Sequence, residues 1–422
     1  MDDLLRVRDL RVSIALPGGE VEAVRGIDFR IRPGSTVALV GESGSGKSIT
    51  AYAIMGLLPP NARIAAGEIL FRDPETPSQA VDLAALDPAG AAMRALRGGR
   101  ISMVFQEPMT SLSPLHAIGE QIGEALRVHH GCSRRECRKR TEALLRRVGF
   151  QDPAHSLSCY PFELSGGLRQ RAMIAMALIC SPALLVADEP TTALDVTIQA
   201  QILKLIAELQ REFGMAVLII THDLGVVANM AEEVVVMYRG EVVEAGACAD
   251  IYGKPQHPYL KALFAAVPRF GLPPGERLKP IREIRADGGE PMAAPAALQR
   301  PQSNAGESII EIRDLRKSFA RRRGAFAFGA LAEEDQAVDG VSLAIRCGES
   351  LGLVGESGSG KTTLSKLIMR AVSPDGGEMT YRENGRVVDV LALRGKALAG
   401  YRRAVQYIFQ DPYGALDPRM TV

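Results

Sequence analysis

The chain has 422 residues, a length that suits two or three folded domains. Its 46% hydrophobic and 23% charged residues are the composition of an ordinary folded protein. A formal net charge of +1 gives no electrostatic reason to expect a nucleic-acid partner. The six cysteines include no CxxC pair, so reduced thiols in a cytoplasmic protein are expected rather than a metal site or a disulfide framework.

Neither the N-terminus nor the most apolar stretch of the chain resembles a membrane segment. The N-terminus lacks the basic and apolar regions of a signal peptide. The most apolar stretch, residues 172–187, is interrupted by Ser181-Pro182 and is too short to span a bilayer. We expect a buried helix followed by a buried strand there, so any membrane role would depend on a partner.

The first strong motif is a glycine-rich loop between a predicted strand and a predicted helix. Residues 36–40 are an apolar run typical of a buried parallel strand, and GESGSGKS follows at residues 41–48. Glycines allow successive N–H groups to face a phosphate, while Lys47 meets the β- and γ-phosphates and the Ser48 hydroxyl meets Mg²⁺. The predicted nucleotide-binding residues of this loop are Gly41, Glu42, Ser43, Gly44, Ser45, Gly46, Lys47, Ser48 and Ile49.

A second anion site is predicted at LSGGLRQR, residues 164–171. Ser165, Gly166 and Gly167 would present N–H groups and a hydroxyl at the N-terminus of a helix. Alone, this segment is only a helix cap. A further anion site in one domain becomes useful if it faces a nucleotide held by another copy.

Two later strands are predicted to end in catalytic side chains. The apolar run 183–187 leads into Asp188 and Glu189, and the run 217–221 leads into His222. Carboxylates at the carboxyl end of a strand suit a metal–nucleotide site. We expect Asp188 to hold Mg²⁺ and Glu189 to polarise the attacking water as general base. For His222, a γ-phosphate contact is favoured over a helix cap.

An internal repeat organises the chain. Residues 23–34 (AVRGIDFRIRPG) match 337–348 (AVDGVSLAIRCG), and each segment leads into the same glycine-rich loop. FQEP at 105–108 is matched by FQDP at 409–412. The conserved motif order predicts a duplication, with a linker rich in Pro, Ala, Gly and Gln at 271–308.

The second copy supplies a further set of predicted nucleotide ligands. They are Gly355, Gly358, Ser359, Gly360, Lys361, Thr362, Thr363 and Gln410, with Thr362 also meeting Mg²⁺. The sequence ends at Val422, a few residues after FQDP. We therefore expect the second domain to be incomplete.

Together these motifs resemble the ATP-binding subunits of ABC transporters. Walker A, Q-loop, signature, Walker B, D-loop and switch histidine are matched in order by GESGSGKS, Gln106, LSGGLRQR, LLVADEP, residues 192–195 and His222. A narrower resemblance, to importers of dipeptides, oligopeptides, nickel and glutathione, comes from PQHPYL at 255–260 and from FQEPMTSLSP. Two such domains on one chain are similar to the fused members of that group.

The resemblance implies an α/β fold with a P-loop NTPase core. This core would have a mostly parallel sheet, an antiparallel β subdomain and a helical subdomain over about residues 87–161. The implied domains are a first nucleotide-binding domain at 1–246, a peptide-importer-type C-terminal element at 247–270, and the N-terminal part of a second domain at 309–422, which stops after its Q-loop.

The resemblance also implies cofactors and partners. ATP and Mg²⁺ would bind, Gln106 would serve both catalysis and the metal, and Phe319 would stack on adenine, in a place that Ile14 takes in the first copy. The implied partners are integral membrane permease subunits and a periplasmic solute-binding protein, at the cytoplasmic face of the inner membrane, with no nucleic acid. Each ATP would lie between one domain's Walker motifs and another's signature, so a second domain in trans or a homodimer is expected.

The sequence leaves alternative functions and several transported solutes open. An ABC ATPase of translation or DNA repair is disfavoured by the neutral charge and the HPY segment. A nucleotide-binding remnant or regulatory protein without transport stays open, because the second domain is expected to be incomplete. The solute is not readable from these motifs, and small peptides, glutathione and nickel all remain.

Overall fold

A computed structural model describes residues 3–77, 79–106, 111–192, 194–267, 307–320, 334–356, 358–383, 385–409 and 420. The chain divides into two compact units, within residues 1–292 and 293–422. Over these described ranges, no helix has both the length and the apolar character needed to cross a bilayer.

The first unit opens with an antiparallel sheet. Its strands, in the order β2-β1-β4-β5, are β1 (Leu5–Leu16), β2 (Gly19–Ile31), β4 (Ala62–Arg72) and β5 (Ala80–Asp82). Leu5 and Val7 on β1 are buried and alternate with exposed residues, as the two-residue period of a half-covered strand requires. The register of β1 shifts beyond Val7, where Asp9 has a left-handed φ of 40°.

A six-stranded sheet lies at the centre of this unit. Its strands, in the order β10-β9-β3-β8-β7-β6, are β3 (Thr36–Val40), β6 (Ile101–Val104), β7 (Leu184–Asp188), β8 (Ala216–Thr221), β9 (Glu233–Tyr238) and β10 (Glu241–Ala247). Only the β9–β10 pair is antiparallel. Every residue of β3, β6, β7 and β8 is buried, which explains their unbroken apolar runs.

The central sheet has a hydrophobic core on each face. Val37 and Leu39 of β3 pack with the antiparallel sheet, whereas Ala38 and Val40 point into the core on the other side. This alternation follows from the pleat of the strand. Because β3, β7 and β8 are parallel, their carboxyl ends meet along one edge of the sheet.

The helices of the first unit cover the central sheet. They are α1 (Lys47–Met55), α2 (Ala91–Leu96), α3 (Ile118–His130), α4 (Arg134–Arg147), α5 (Pro153–Ser156), α6 (Gly166–Leu178), α7 (Val196–Phe213), α8 (Leu224–Met230), α9 (Cys248–Gly253) and α10 (Pro258–Ala266). Helices α3, α4 and α6 pack against one another and form the helical part. The buried helix and strand expected over residues 172–187 are confirmed as α6 and β7.

The predicted extent of the helical subdomain was partly wrong. The range 87–161 includes β6, which pairs with β7 in the central sheet. It also includes α2, whose Met93 is buried in the core beside the antiparallel sheet. The helical part starts only at Ile118, because the four-residue run of β6 is too short for its apolar pattern to distinguish a strand from a helix.

The second unit repeats the antiparallel sheet of the first. Its strands, in the order β12-β11-β13-β14, are β11 (Ser308–Ala320), β12 (Glu334–Arg346), β13 (Gly376–Glu383) and β14 (Arg386–Asp389), and its helices are α11 (Lys361–Ile368) and α12 (Gly395–Ala404). Asp314 has a φ of 45° at the place of Asp9. Arg316 pairs with Asp314 at 3.0 Å, as Arg11 does with Asp9. The predicted duplication is therefore confirmed in three dimensions.

The units differ at the strand before the glycine-rich loop. Residues 351–356 form no strand, and Val354 is 93% exposed where Val40 is buried. In the first unit β3 is paired on both sides, with β8 and β9. Among the described residues of the second unit no strands occupy those positions, so the apolar run lacks the hydrogen-bonding neighbours that a buried strand needs.

Candidate functional site

The glycine-rich loop of the first unit wraps around the ammonium group of Lys47. Nζ of Lys47 donates to Gly41 O at 2.8 Å, to Glu42 O at 2.7 Å and to Ser45 Oγ at 3.3 Å. Burial lowers the pKa of Lys47, while the charges of Glu189 and Asp188 oppose that shift. The loop thus holds a cation whose present partners are carbonyl and hydroxyl oxygens that a phosphate can replace.

Two positions of this loop have room only for glycine. A Cβ on Gly46 would lie 2.7 Å from Ala23 O, and the residue has a φ of +99° immediately before α1. A Cβ on Gly41 would lie 2.2 Å from Met237 O. The backbone of the loop therefore lies directly against β2 and the end of β9.

Ser48 and Asp188 bring two oxygen ligands together beside the loop. Ser48 Oγ donates to Asp188 Oδ1 at 3.2 Å, and Asp188 is buried at the end of β7. Burial raises the pKa of Asp188 above its ordinary value, and the hydrogen bond from Ser48 only partly offsets this shift. A hydroxyl and a carboxylate next to a phosphate loop are the oxygen donors that Mg²⁺ prefers, so these residues fit the metal predicted for them.

The carboxylate of Glu189 is surrounded by polar side chains. Gln106 Nε2 and Thr192 Oγ1 each donate to Glu189 Oε2 at 2.9 Å. His222 Nδ1 lies 2.9 Å from Glu189 Oε1. These groups come from three separate segments of the first unit, since Glu189 and Thr192 lie in one turn, and they converge at the sheet edge where β7 and β8 end.

The main chain at Glu189 is unusual as well. Its φ of 45° is left-handed, which a non-glycine residue rarely adopts. The Glu189 N–H donates to Ile220 O of β8 at 2.9 Å, which holds the residue against the sheet in that conformation. Strain of this kind, roughly 1–3 kcal/mol, persists where the surroundings enforce it and often marks a functional position.

The surroundings keep Glu189 ionised. Burial raises the pKa of Glu189, but the hydrogen bonds from His222 and Thr192 and the charges of His222 and Lys47 outweigh that effect and leave the pKa below its ordinary value. An ionised, hydrogen-bonded carboxylate beside a phosphate loop is suited to accepting a proton from water.

The structure also shows where sequence reasoning about this site was incomplete. Thr192 was not predicted as a site residue, and only the fold shows that its hydroxyl reaches Glu189. Gln106 was predicted for both catalysis and the metal; its amide nitrogen faces Glu189, and its metal role stays a prediction. No pattern distinguishes a threonine that caps a turn from one that contacts a carboxylate.

The predicted signature segment begins a helix at the surface. Ser165 is the N-cap of α6, with Oγ accepting from Leu168 N at 3.4 Å. Ser165 and Gly166 are exposed, whereas Lys47 and Asp188 are buried. The segment therefore presents the N-terminal end of α6 to solvent, where a group from outside the unit can reach it.

The second glycine-rich loop has the same internal contacts as the first. Lys361 Nζ donates to Gly355 O at 2.6 Å, to Glu356 O at 2.5 Å and to Ser359 Oγ at 3.3 Å. Gly360 has a φ of 90° before α11, but Gly355, Gly358 and Thr362 are exposed. The second unit thus reproduces the loop itself, and its described ranges contain no counterparts of the strands that bury the loop in the first unit.

The remaining predicted ligands of the second copy are Thr363, Phe319 and Gln410, and no hydrogen bond to this loop is described for them. Thr363 lies half-buried on α11. Phe319 is 43% exposed on β11, and Lys317 Nζ lies 5.5 Å from the centre of its ring. Gln410 lies outside the described residues. The adenine contact predicted for Phe319 stays a prediction.

The chain is similar in sequence to a known family and to individual known proteins. The sequence model of the ABC transporter family matches residues 24–192 and 338–422. The glutathione import ATP-binding protein GsiA of Salmonella typhimurium is 46% identical over 421 residues, and that of Escherichia coli O6:H1 is 44% identical over 423 residues. Each alignment covers 100% of this chain and 66% of the relative, so the chain spans about two thirds of the length of these proteins.

Solved structures support the predicted α/β fold with a P-loop NTPase core. The ATP-binding cassette MJ0796, in a dimeric post-hydrolysis state with ADP and Pi, is 27% identical with a TM-score of 0.51 and covers 58% of this chain and 98% of its own. A second dimeric structure of MJ0796 has a TM-score of 0.50 with the same coverage. The family match spans both glycine-rich loops and the strand end carrying Asp188 and Glu189, and the chain therefore belongs to the ABC transporter family.

Proposed function

We propose that the first unit binds ATP with Mg²⁺ and hydrolyses it, as the ATP-binding subunit of an importer. The observation that carries this proposal is the carboxylate of Glu189, hydrogen-bonded by Gln106, Thr192 and His222 at the same sheet edge as the loop around Lys47. A buried cation for phosphate and a carboxylate for water are the two groups that phosphoryl transfer to water needs.

Binding begins with the phosphate loop. Lys47 exchanges the carbonyl oxygens of Gly41 and Glu42 for oxygens of the β- and γ-phosphates, and the loop N–H groups bind the same phosphates at the start of α1. Ser48 and Asp188 would hold Mg²⁺, which when bound offsets the charge of the phosphates.

Hydrolysis depends on Glu189 as general base. The carboxylate orients a water toward the γ-phosphate and accepts its proton as the new P–O bond forms. His222 and Thr192 keep this carboxylate ionised and fixed, and Gln106 donates to the same oxygen as Thr192. The side chain of His222 is 64% exposed, so its imidazole can also contact the γ-phosphate.

A complete site requires a second copy. The signature residues Ser165, Gly166 and Gly167 lie at an exposed helix N-terminus and would bind the γ-phosphate of ATP held by another nucleotide-binding domain. The similar cassette MJ0796 is described as dimeric, which supports pairing in trans or as a homodimer. Within this scheme Phe319 and the second phosphate loop, with Thr362 at its metal, belong to a second nucleotide site.

The same proposal gives the chain its domains. The first nucleotide-binding domain occupies 1–246, followed by a C-terminal element at 247–270, a linker at 271–308 and the start of a second domain at 309–422. The division of the chain into compact units between residues 292 and 293 falls within the proposed linker and supports this scheme.

The transported solute is proposed from the relatives. Proteins named for glutathione import are 44–46% identical to this chain, and its HPY segment is typical of peptide-class importers, so we place glutathione and small peptides ahead of nickel. The motor would act with permease subunits and a periplasmic solute-binding protein at the cytoplasmic face of the inner membrane, as a peripheral protein.

Steady-state ATPase activity across a series of protein concentrations tests this function, with Glu189→Gln as the matched control. Activity that rises more steeply than the protein concentration and disappears in Glu189→Gln supports a motor assembled between chains. Rapid turnover per chain that is independent of concentration would contradict assembly in trans.

A second candidate is a nucleotide-binding protein that regulates without transport. Among the described residues, the second phosphate loop is exposed and the run at 351–356 forms no strand, and both features favour it. Tight MgATP binding with no turnover at any protein concentration, even with permease subunits present, would support this candidate over the motor.

A further inference from the structure

The backbone of the phosphate loop in the first unit is hydrogen-bonded to a residue far away in the sequence. The N–H of Glu42 donates to the hydroxyl oxygen of Tyr259 at 3.0 Å, across 217 residues of chain. Tyr259 lies on α10 and is only 3% exposed. Glu42 is therefore held on two sides, because its carbonyl oxygen also accepts from Lys47 Nζ.

The ring of Tyr259 is fixed in place by a second aromatic side chain. It stacks on Tyr238, with ring centroids 4.3 Å apart and planes inclined by 29°. Tyr238 is the last residue of β9, which pairs with β3 directly before the loop. The hydroxyl is thus aimed at the loop by a stack that rests on the central sheet.

The start of α10 is anchored to the same sheet. The carboxylate of Glu244 on β10 accepts from the N–H groups of Gln256 and His257, at 3.0 and 2.8 Å. His257 Nδ1 accepts from the N–H of Tyr259 at 3.2 Å and caps the helix. Leu260 is fully buried in the core beneath. The helix is therefore a rigid support rather than a loosely attached tail.

The second unit allows an internal comparison. Lys361 makes the same carbonyl contacts as Lys47, yet Glu356 is exposed whereas Glu42 is half-buried. No tyrosine hydroxyl is bonded to Glu356 in the described part of the chain, so the contacts within the loop form without such a tyrosine. What Tyr259 adds is an attachment of the loop to the rest of the domain.

We propose that Tyr259 is a positioning residue, which holds the phosphate loop in its nucleotide-binding form before nucleotide arrives. This inference rests on the proposed function of the loop in binding ATP. Ordering a glycine-rich loop costs conformational entropy on binding, and an attachment made in advance removes part of that cost. The hydroxyl contacts the backbone N–H of Glu42, so it acts through the loop on affinity and not on the chemical step.

Tyr259→Phe tests the proposal because it removes the hydroxyl and keeps the stacked ring. Tyr252→Phe is the matched control, since the Tyr252 hydroxyl donates to Leu224 O on α8 and makes no contact with the loop. Both substitutions are made in the full chain carrying Lys361→Ala, so that nucleotide binding reports the first loop.

Two measurements then separate positioning from general destabilisation. In the nucleotide-free protein, hydrogen–deuterium exchange over residues 41–46 should rise in Tyr259→Phe and not in Tyr252→Phe. The Kd for MgATP, measured with Glu189→Gln present to prevent turnover, should rise about fivefold in Tyr259→Phe, the effect of one neutral hydrogen bond. With Glu189 intact, kcat should stay within about twofold of the parent, because the hydrogen bond acts on binding.

The outcomes distinguish this inference from the proposed function. Unchanged exchange over residues 41–46 in Tyr259→Phe overturns the attachment, whatever the affinity shows. Raised exchange with an unchanged Kd, or equal effects of both tyrosine substitutions, overturns the positioning role while ATP binding stands. If the parent binds no MgATP and Lys47→Ala changes nothing, the proposed function itself fails and the role in binding fails with it.

Discussion

His222 and Glu189 occupy the ends of neighbouring parallel strands, and the ring nitrogen Nδ1 of the histidine lies 2.9 Å from Oε1 of the carboxylate. The histidine side chain is 64% exposed and the carboxylate only 16%, so one partner faces solvent and the other faces the site. The pair therefore couples the ionisation of Glu189 to an imidazole that nucleotide or solvent can reach.

The first prediction concerns the pH dependence of hydrolysis. The hydrogen bond and charge of His222 help to lower the pKa of Glu189, so His222→Ala should raise that pKa. A general base acts only when ionised, and its activity is lost as the pH falls through its pKa. The acidic limb of the kcat–pH profile should therefore move to higher pH in His222→Ala. A limb that stays in place, or moves to lower pH, would contradict this coupling.

Thr192 should influence the same limb through its hydroxyl alone. Thr192→Val keeps the shape of the side chain and removes a hydrogen bond that lowers the pKa of Glu189. The limb should again move to higher pH, whereas Thr192→Ser, which retains a hydroxyl, should behave as the parent. Profiles of all three proteins under the same conditions decide the matter, and identical Val and Ser variants would exclude a role for this contact.

Asp188 should determine the requirement for Mg²⁺. Its buried carboxylate lies with the Ser48 hydroxyl at the phosphate loop. Asp188→Asn removes the charge, and contacts to charged groups are worth roughly 1.5–3 kcal/mol, so the Mg²⁺ concentration for half-maximal ATPase activity should rise about tenfold or more. Titration with Mg²⁺ at fixed ATP measures this. An unchanged Mg²⁺ midpoint would remove Asp188 from the metal site.

Gly46 should tolerate no side chain. An added Cβ would lie 2.7 Å from Ala23 O at a φ of +99°, so the loop must move to accept it. Overpacking and backbone strain together cost roughly 2 kcal/mol or more, and MgATP affinity should fall at least about tenfold in Gly46→Ala. Gly18→Ala is the control, since nothing lies within 4 Å of its Cβ. Calorimetric titration together with thermal unfolding separates loss of binding from loss of fold.

Pairing between chains predicts that two inactive variants restore each other. One variant, Lys47→Ala, loses the phosphate contact of its glycine-rich loop. The other, Ser165→Arg, keeps that loop but has a blocked signature segment. In a mixture, the loop of the Ser165→Arg chain can still meet the signature of the Lys47→Ala chain. Random pairing leaves about a quarter of the sites intact, so ATPase activity should return to at most that fraction. A mixture as inactive as its components would argue against a site shared between two first units.

Much of the site could be predicted because its residues follow buried strands. Apolar runs at β3, β7 and β8 lead directly into the glycine loop, Asp188-Glu189 and His222, and parallel strands bring their carboxyl ends to one edge. The repeat was equally readable from the matched segments 23–34 and 337–348, whereas the left-handed φ shared by Asp9 and Asp314 was found only in the structure. The helical subdomain was misplaced because β6 is too short to show a period.

The sequence by itself determined the segments that build the site, namely the strands β3, β7 and β8, the glycine-rich loop and the start of α6, because local composition and periodicity carry that information. Only the tertiary structure decided which distant groups meet: Gln106 and Glu189 across 83 residues, and Tyr259 and Glu42 across 217 residues. It also decided that residues 351–356 form no strand although they match the motif of β3. The physical reason is the same in each case, since a hydrogen bond or a buried strand exists only when its partner, distant in sequence, is present beside it.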